Sequence, residues 1–228
     1  MVFTLCESNC AMKKRLLITL VLLCICAGAF STAQFPDKII YQGKEYALHS
    51  NPLEKFFDKY PERRPRGSII STALWRGYVA TFEVKDGQLF LKDIEIMIEK
   101  KKKKGFDTEW KSVLEDVFPG EKEIKITWLT GLLVIPDGEL INYVHMGYAS
   151  TYERYILLEV YTGNLKAERK YDHNEYSQFR ERQFKAFRET PEYREAKQKL
   201  MDENSSEEFV DSFLRDFVVD YTSKILVD

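Results

Sequence analysis

Residues Tyr78–Ile98 read YVATFEVKDGQLFLKDIEIMI. In the first half Tyr78, Ala80, Phe82 and Val84 are apolar, while Thr81, Glu83 and Lys85 between them are polar. That period of two marks a strand with one buried and one wet face. Asp86-Gly87 interrupts it, and Asp-Gly between alternating apolar runs is a strong hairpin signal, because glycine takes the positive φ that a tight turn needs. On the return, Leu89 and Leu91 fall opposite Val84 and Phe82. The parity then shifts: Ile94, Ile96 and Ile98 are apolar, Asp93 and Glu95 are not. A one-residue slip turns every side chain over, so a bulge is expected near Lys92-Asp93. A strand covered on both faces is the alternative.

Outward from this hairpin the same turn grammar recurs. A polar residue, Gly, a polar residue and an apolar one appear at Asp137-Gly138-Glu139-Leu140 and Thr162-Gly163-Asn164-Leu165, with Gln42-Gly43-Lys44 a weaker instance. Their unequal spacing indicates a meander over Lys38 to Lys170 rather than a sequence repeat. Two helices are predicted to interrupt it. One starts with Asn51 as N-cap and Pro52 at the first helical position, carries Leu53, Phe56, Phe57 and Tyr60, and ends before Pro61. The other spans Thr108 to Val117, with Trp110, Val113, Leu114 and Val117 inward.

Beyond Tyr171 the pattern turns helical: Tyr176, Phe179, Phe184 and Phe187 recur among charges, and Thr190-Pro191 ends one helix and opens another. Ser205 to Glu208 reads as a capping box with Ser205 as N-cap. Phe209, Val210, Phe213, Leu214, Phe217, Val218 and Tyr221 then form a wide stripe that needs an apolar partner. The fold class expected is α+β: an antiparallel β-meander sheet, two inserted helices and a C-terminal helical segment packed on it. Residues 34–171 are mainly strands and 172–228 helices, in one domain.

The N-terminus reads as a leader. Lys13, Lys14 and Arg15 precede an apolar run from Leu16 to Phe30, followed by Ser31, Thr32 and Ala33. A basic start, an apolar stretch and a small-x-small site make a secretory signal, too short for the roughly 20 residues of a bilayer span. Met12 is the expected start and cleavage is expected after Ala33. Cys24 and Cys26 follow Leu23 and Ile25, where a lipobox needs a small residue. The Ala33-Gln34 junction resembles that of Bacteroidota signal peptides, which implies a periplasmic or secreted protein of a Gram-negative bacterium.

All four cysteines (6, 10, 24 and 26) precede that junction, so the mature domain has neither disulfides nor thiol chemistry. Without the leader's three basic residues and one acid, 31 basic and 35 acidic side chains remain, a net charge of −4. A nucleic-acid binder carries a basic excess instead. His49, His145 and His173 are the only histidines, none at metal-ligand spacing. The G-x-S-x-G elbow, the P-loop and G-x-G-x-x-G are missing, and nothing calls for a cofactor. The lysines at 100–104 and Arg63, Arg64 and Arg66 read as solvated connections.

Two segments, Ser71–Tyr78 and His145–Tyr152, mix aromatics, glycine and small hydroxyls as recognition surfaces do. If they meet in space, Trp75, Arg76, Tyr78, His145, Tyr148 and Tyr152 line a binding groove. The plainer alternative has Trp75 and Tyr78 in the core and Arg76 paired with a carboxylate. The function expected is an exported, non-enzymatic interaction or inhibitor/immunity-type module with a protein partner, or else a carbohydrate one. The alternative is a hydrolase using carboxylates or histidine on envelope or carbohydrate substrate.

Overall fold

The computed structural model describes residues 33–67, 69, 71–101, 106–145, 147–201 and 205–227. The leader and the lysines at 102–104 lie outside them. Nine strands among the described residues form one mixed, mostly antiparallel sheet: β1 (Asp37–Tyr41), β2 (Lys44–Leu48), β3 (Val79–Lys85), β4 (Gln88–Lys101), β5 (Phe106–Ser112), β6 (Ile124–Lys125), β7 (Gly131–Asn142), β8 (Thr151–Tyr161) and β9 (Asn164–Asp172). The order is β2-β1-β3-β4-β9-β8-β7, with β5 and β6 also on β4.

The meander holds in part. At Gln42-Gly43, Asp86-Gly87 and Thr162-Gly163 both residues have positive φ, between 44° and 78°, and each pair joins adjacent antiparallel strands. Two successive positive φ values give the type I′ turn whose twist matches the strands it joins. The bulge expected in β4 is present: Thr81 pairs with Asp93 and Phe82 with Leu91, leaving Lys92 extra.

Several readings need correction. β1 runs parallel to β3, because the chain from β2 crosses through α1 (Glu54–Lys59) before returning to the sheet. Asp137-Gly138 is not a turn: β7 continues through it, with a register shift between Asp137 and Leu140, so the glycine's φ of 82° makes a bulge. Residues 108–112 are strand rather than helix, since Trp110 pairs with Met97 on β4. Only α2 (Leu114–Val117) is helical there, and the apolar spacing of residues 110–117 straddles the junction. Asn51 caps nothing; α1 starts after Leu53 with no side-chain cap.

The sheet coils until β2 returns beside β7. The His49 N–H donates to the Val134 carbonyl at 2.8 Å, and Lys44 pairs with Asp137 at 3.4 Å. The enclosed face holds the larger core, in which Ile39, Phe82, Ile94, Leu133 and Leu158 meet Phe56 and Phe57 of α1. Arg63 and Arg64 are structural rather than solvated. Arg64 grips Glu54 with two bonds of 3.0 and 2.9 Å, and Arg63 donates to the Val117 carbonyl.

The neighbouring residues of β7 and β8 point the other way. Leu132, Val134, Tyr155 and Leu157 form a second core with the C-terminal helices: α3 (His173–Phe187), α4 (Pro191–Leu200), α5 (Glu207–Asp216) and α6 (Val218–Tyr221). A capping box starts α3, with Asp172 accepting from the Glu175 N–H and Glu175 from the Asp172 N–H. Thr190 caps α4 with Pro191 at its first position. The cap of α5 is Ser206, one residue later than the sequence suggested. The stripe on α5 and α6 buries Val210, Leu214 and Val218. Phe209 and Phe217 stay 63% and 42% exposed.

Candidate functional site

Where the C-terminal helices lean over the end of β7 and β8, they leave a cavity of about 400 Å³. One wall is α3, whose residues His173, Tyr176, Ser177 and Arg180 recur at helical spacing on the cavity side. The capping box at Asp172 fixes where that face begins. Opposite lie Tyr148 from the β7–β8 connection and His49 just past β2. Asp216, Phe217 and Asp220 close it from α5 and α6. The His49 ring stacks on Tyr148 at 4.7 Å and meets Tyr152 edge-on at 5.5 Å. Tyr155 stacks on Tyr176 at 4.1 Å.

Tyr148 is held in place from behind by a buried polar network. Its hydroxyl donates to Asn51 Oδ1 at 2.9 Å and accepts from Arg76 at the same distance. Arg76 also donates to the Phe35 carbonyl at 2.9 Å and to Asp37 at 3.2 Å. Asp37 takes the Ala80 N–H as well. Asn51, read as a helix cap, is thus spent on orienting the tyrosine.

Burial shifts the protonation of several groups here. Burial alone lowers the His49 pKa to about 4, so this imidazole is neutral near pH 7. Burial lifts Asp220 to about 6, against the opposing pull of Arg180 and Lys55, although the residue as a whole is exposed. Burial also lifts the Tyr148 hydroxyl, to about 12.

The two segments singled out by sequence do meet. Residues 33–35 run between them: Ala33 bridges to Gly147, the Gln34 N–H donates to the Gly147 carbonyl, and the Phe35 N–H donates to the Ala73 carbonyl. Arg76 and Tyr148 are hydrogen-bonded, and Tyr148 and Tyr152 share His49. The other members are dispersed. Tyr78 is wholly buried, with its hydroxyl on Glu54 at 2.7 Å. Trp75 is 60% exposed. His145 lies exposed, edge-on to Tyr143 at 4.6 Å.

His49, His173, Arg180, Asp216 and Asp220 escaped the sequence reading as a group. Only α3 gave a usable signal, since residues 173, 176, 177 and 180 share one helical face. Among the described residues no group of three or more His, Cys, Asp or Glu side chains is placed to hold a metal ion. No helix among them is long and apolar enough to cross a membrane. No family model, no curated protein and no solved structure matches the chain. Function must be read from the cavity itself.

Proposed function

We propose that this is an exported binding module, released after Ala33 to the periplasm or beyond, which captures a segment of a partner protein in the cavity and over its rim. One observation carries the reading: the apolar surface does not stop at the mouth. Phe217, a cavity residue, packs on Phe213 at 4.7 Å, and Phe213 stacks on Phe209 at 6.5 Å. An aromatic ridge at positions i, i+4 and i+8 along α5 and its C-cap thus leads outward from a concave site. Ridges of this kind beside pockets supply the aromatic anchors of protein interfaces. Exposed Glu208 and Asp216 flank it, so a segment with apolar and basic residues fits best.

Affinity capture from envelope extract tests this. The triple variant F209A/F213A/F217A is expected to lose the partner while keeping its unfolding temperature. Partner recovery equal to that of the unaltered protein refutes the reading. N-terminal sequencing of the protein from the periplasm should begin at Gln34.

The gathering of two histidines and two carboxylates in one cavity favours a second reading, a hydrolase acting on envelope or carbohydrate substrate. Against it, neither cavity histidine makes a side-chain hydrogen bond to a serine or carboxylate among the described residues, and His173 Nδ1 is buried without a partner. Release of reducing ends from envelope polysaccharide, abolished in D220N, would establish hydrolysis.

A further inference from the structure

The cavity holds charges of both signs that do not neutralise each other. Arg180 and Asp220 both line it. They are close enough for each charge to act on the other, yet no ion pair joins them, and the Asp220 carboxylate accepts no hydrogen bond from the described residues. Arg180 spends one guanidinium nitrogen on the Asp216 carbonyl at 2.7 Å, which fixes the side chain; its other N–H groups have no protein acceptor among the described residues. Lys55, the other cation acting on Asp220, is tied to the Thr130 carbonyl at 2.8 Å and is not part of the cavity wall.

A ligand of one sign meets a like charge here. A simple cation faces Arg180, and a simple anion faces Asp216 and Asp220. An acceptor oxygen beside an ammonium satisfies both sides, and the wall includes the aromatic residues Tyr148, Tyr176 and Phe217, a side-chain class that attracts cations. The volume lies in the range of small-ligand sites and has room for one residue.

We propose that the cavity takes an α-ammonium group with a neighbouring carbonyl oxygen, the head of a free amino acid or of a peptide chain, with Asp220 accepting from the ammonium and Arg180 donating to the oxygen. The proposal deepens the binding reading and rests on it. A peptide whose first residue sits in the cavity continues over Phe217, Phe213 and Phe209.

Calorimetric titration of the purified protein with four probes tests it: phenylalanine, the dipeptide Phe-Ala, N-acetylphenylalanine and 2-phenylethylamine. Phe-Ala or phenylalanine is expected to bind. Acetylation, which removes the ammonium, and loss of the carbonyl in phenylethylamine should each weaken binding about tenfold or more, the worth of a charged hydrogen bond. D220N should erase the penalty for acetylation alone, and R180Q the penalty for the missing carbonyl alone; variants that merely loosened the fold would weaken all probes equally. Phe-Ala binding better than phenylalanine identifies a chain terminus, and the reverse a free amino acid. Equal affinity for all four probes, discrimination that survives D220N, or no binding at millimolar concentration overturns the proposal. If partner capture through the phenylalanine ridge persists in that event, the binding reading stands and only the ligand chemistry falls.

Discussion

Arg76 and Asp37 are both almost fully withdrawn from water. Burial lifts the Asp37 pKa to about 6 even against the Arg76 charge. Such a pair is a modest source of stability while whole and a large liability once broken. R76M should therefore lose about 3–5 kcal/mol in urea unfolding at pH 7, and D37N/R76M should recover much of it. The deficit of R76M should shrink as pH falls toward about 6 and level off below it, because without the Arg76 charge the folded variant takes up a proton on Asp37 above that pH, whereas the unaltered protein takes it up only near 6. His49 works with the opposite sign. Its folded pKa of about 4 lies below the ordinary 6.5, so the unfolded chain binds a proton that the folded one refuses. The stability concerned is complete above pH 6.5 and lost as pH falls toward 4. H49F should escape that loss, closing on or overtaking the unaltered protein by about 1–3 kcal/mol across the window in pH-dependent melts.

Among the elements, the turns separate what a residue needs from what its neighbours allow. Gly87 and Gly163 occupy equivalent places in two type I′ hairpins, with φ of 70° and 75°. A Cβ on Gly87 would meet nothing within 4 Å, whereas one on Gly163 would lie 2.3 Å from the Ile126 carbonyl oxygen. The reason is topological. The two turns cross-bond where β4 meets β9, the Leu89 N–H donating to the Gly163 carbonyl and the Leu165 N–H to the Gly87 carbonyl, each at 2.8 Å. Only Gly163 is also held against the stretch after β6, where its N–H donates to the Leu129 carbonyl at 3.0 Å. G87A should cost about 1–2 kcal/mol, the left-handed penalty. G163A should cost at least about 2 kcal/mol more, because backbone must move. Chemical denaturation of both variants side by side checks this; equal losses would show that the seam is soft.

At the scale of the whole molecule, β7 and β8 are shared property. Leu133 and Leu158 face one core, Leu132 and Leu157 the other, so neither half is complete alone. A chain ending at Asp172 would leave Leu132, Val134, Tyr155 and Leu157 uncovered, an apolar patch of the kind that drives association. Light scattering should find this truncated form aggregated, or soluble only as an oligomer. A monomer with cooperative unfolding would mean that the coiled sheet folds by itself. The cavity belongs to the same scale, since its walls come from the residue after β2, from β7, β8 and their connection, and from α3, α5 and α6, and removal of the helices removes the site.

Local chemistry was legible where a rule needs only near neighbours. Asp86-Gly87 and Thr162-Gly163 announced their turns, the parity shift after Leu91 announced its bulge, and Thr190-Pro191 announced a helix start, because φ preference, alternation and capping act within a few residues. Asp137-Gly138 misled for the same reason: glycine permits a turn and a bulge alike, and only the run of partners on β8 selects the bulge. Residues 108–112 became a strand because β4 offered an open edge, a fact held in their partner and not in their own spacing. The site was less legible still. Arg76 meets Tyr148 across 72 positions of chain, and His49, Arg180 and Asp220 converge only when the sheet coils and the helices dock on its outer face. Sequence determined the local backbone and which residues must leave water; tertiary packing alone decided which charges would share a cavity, since burial and electrostatic coupling depend on distances in space rather than along the chain.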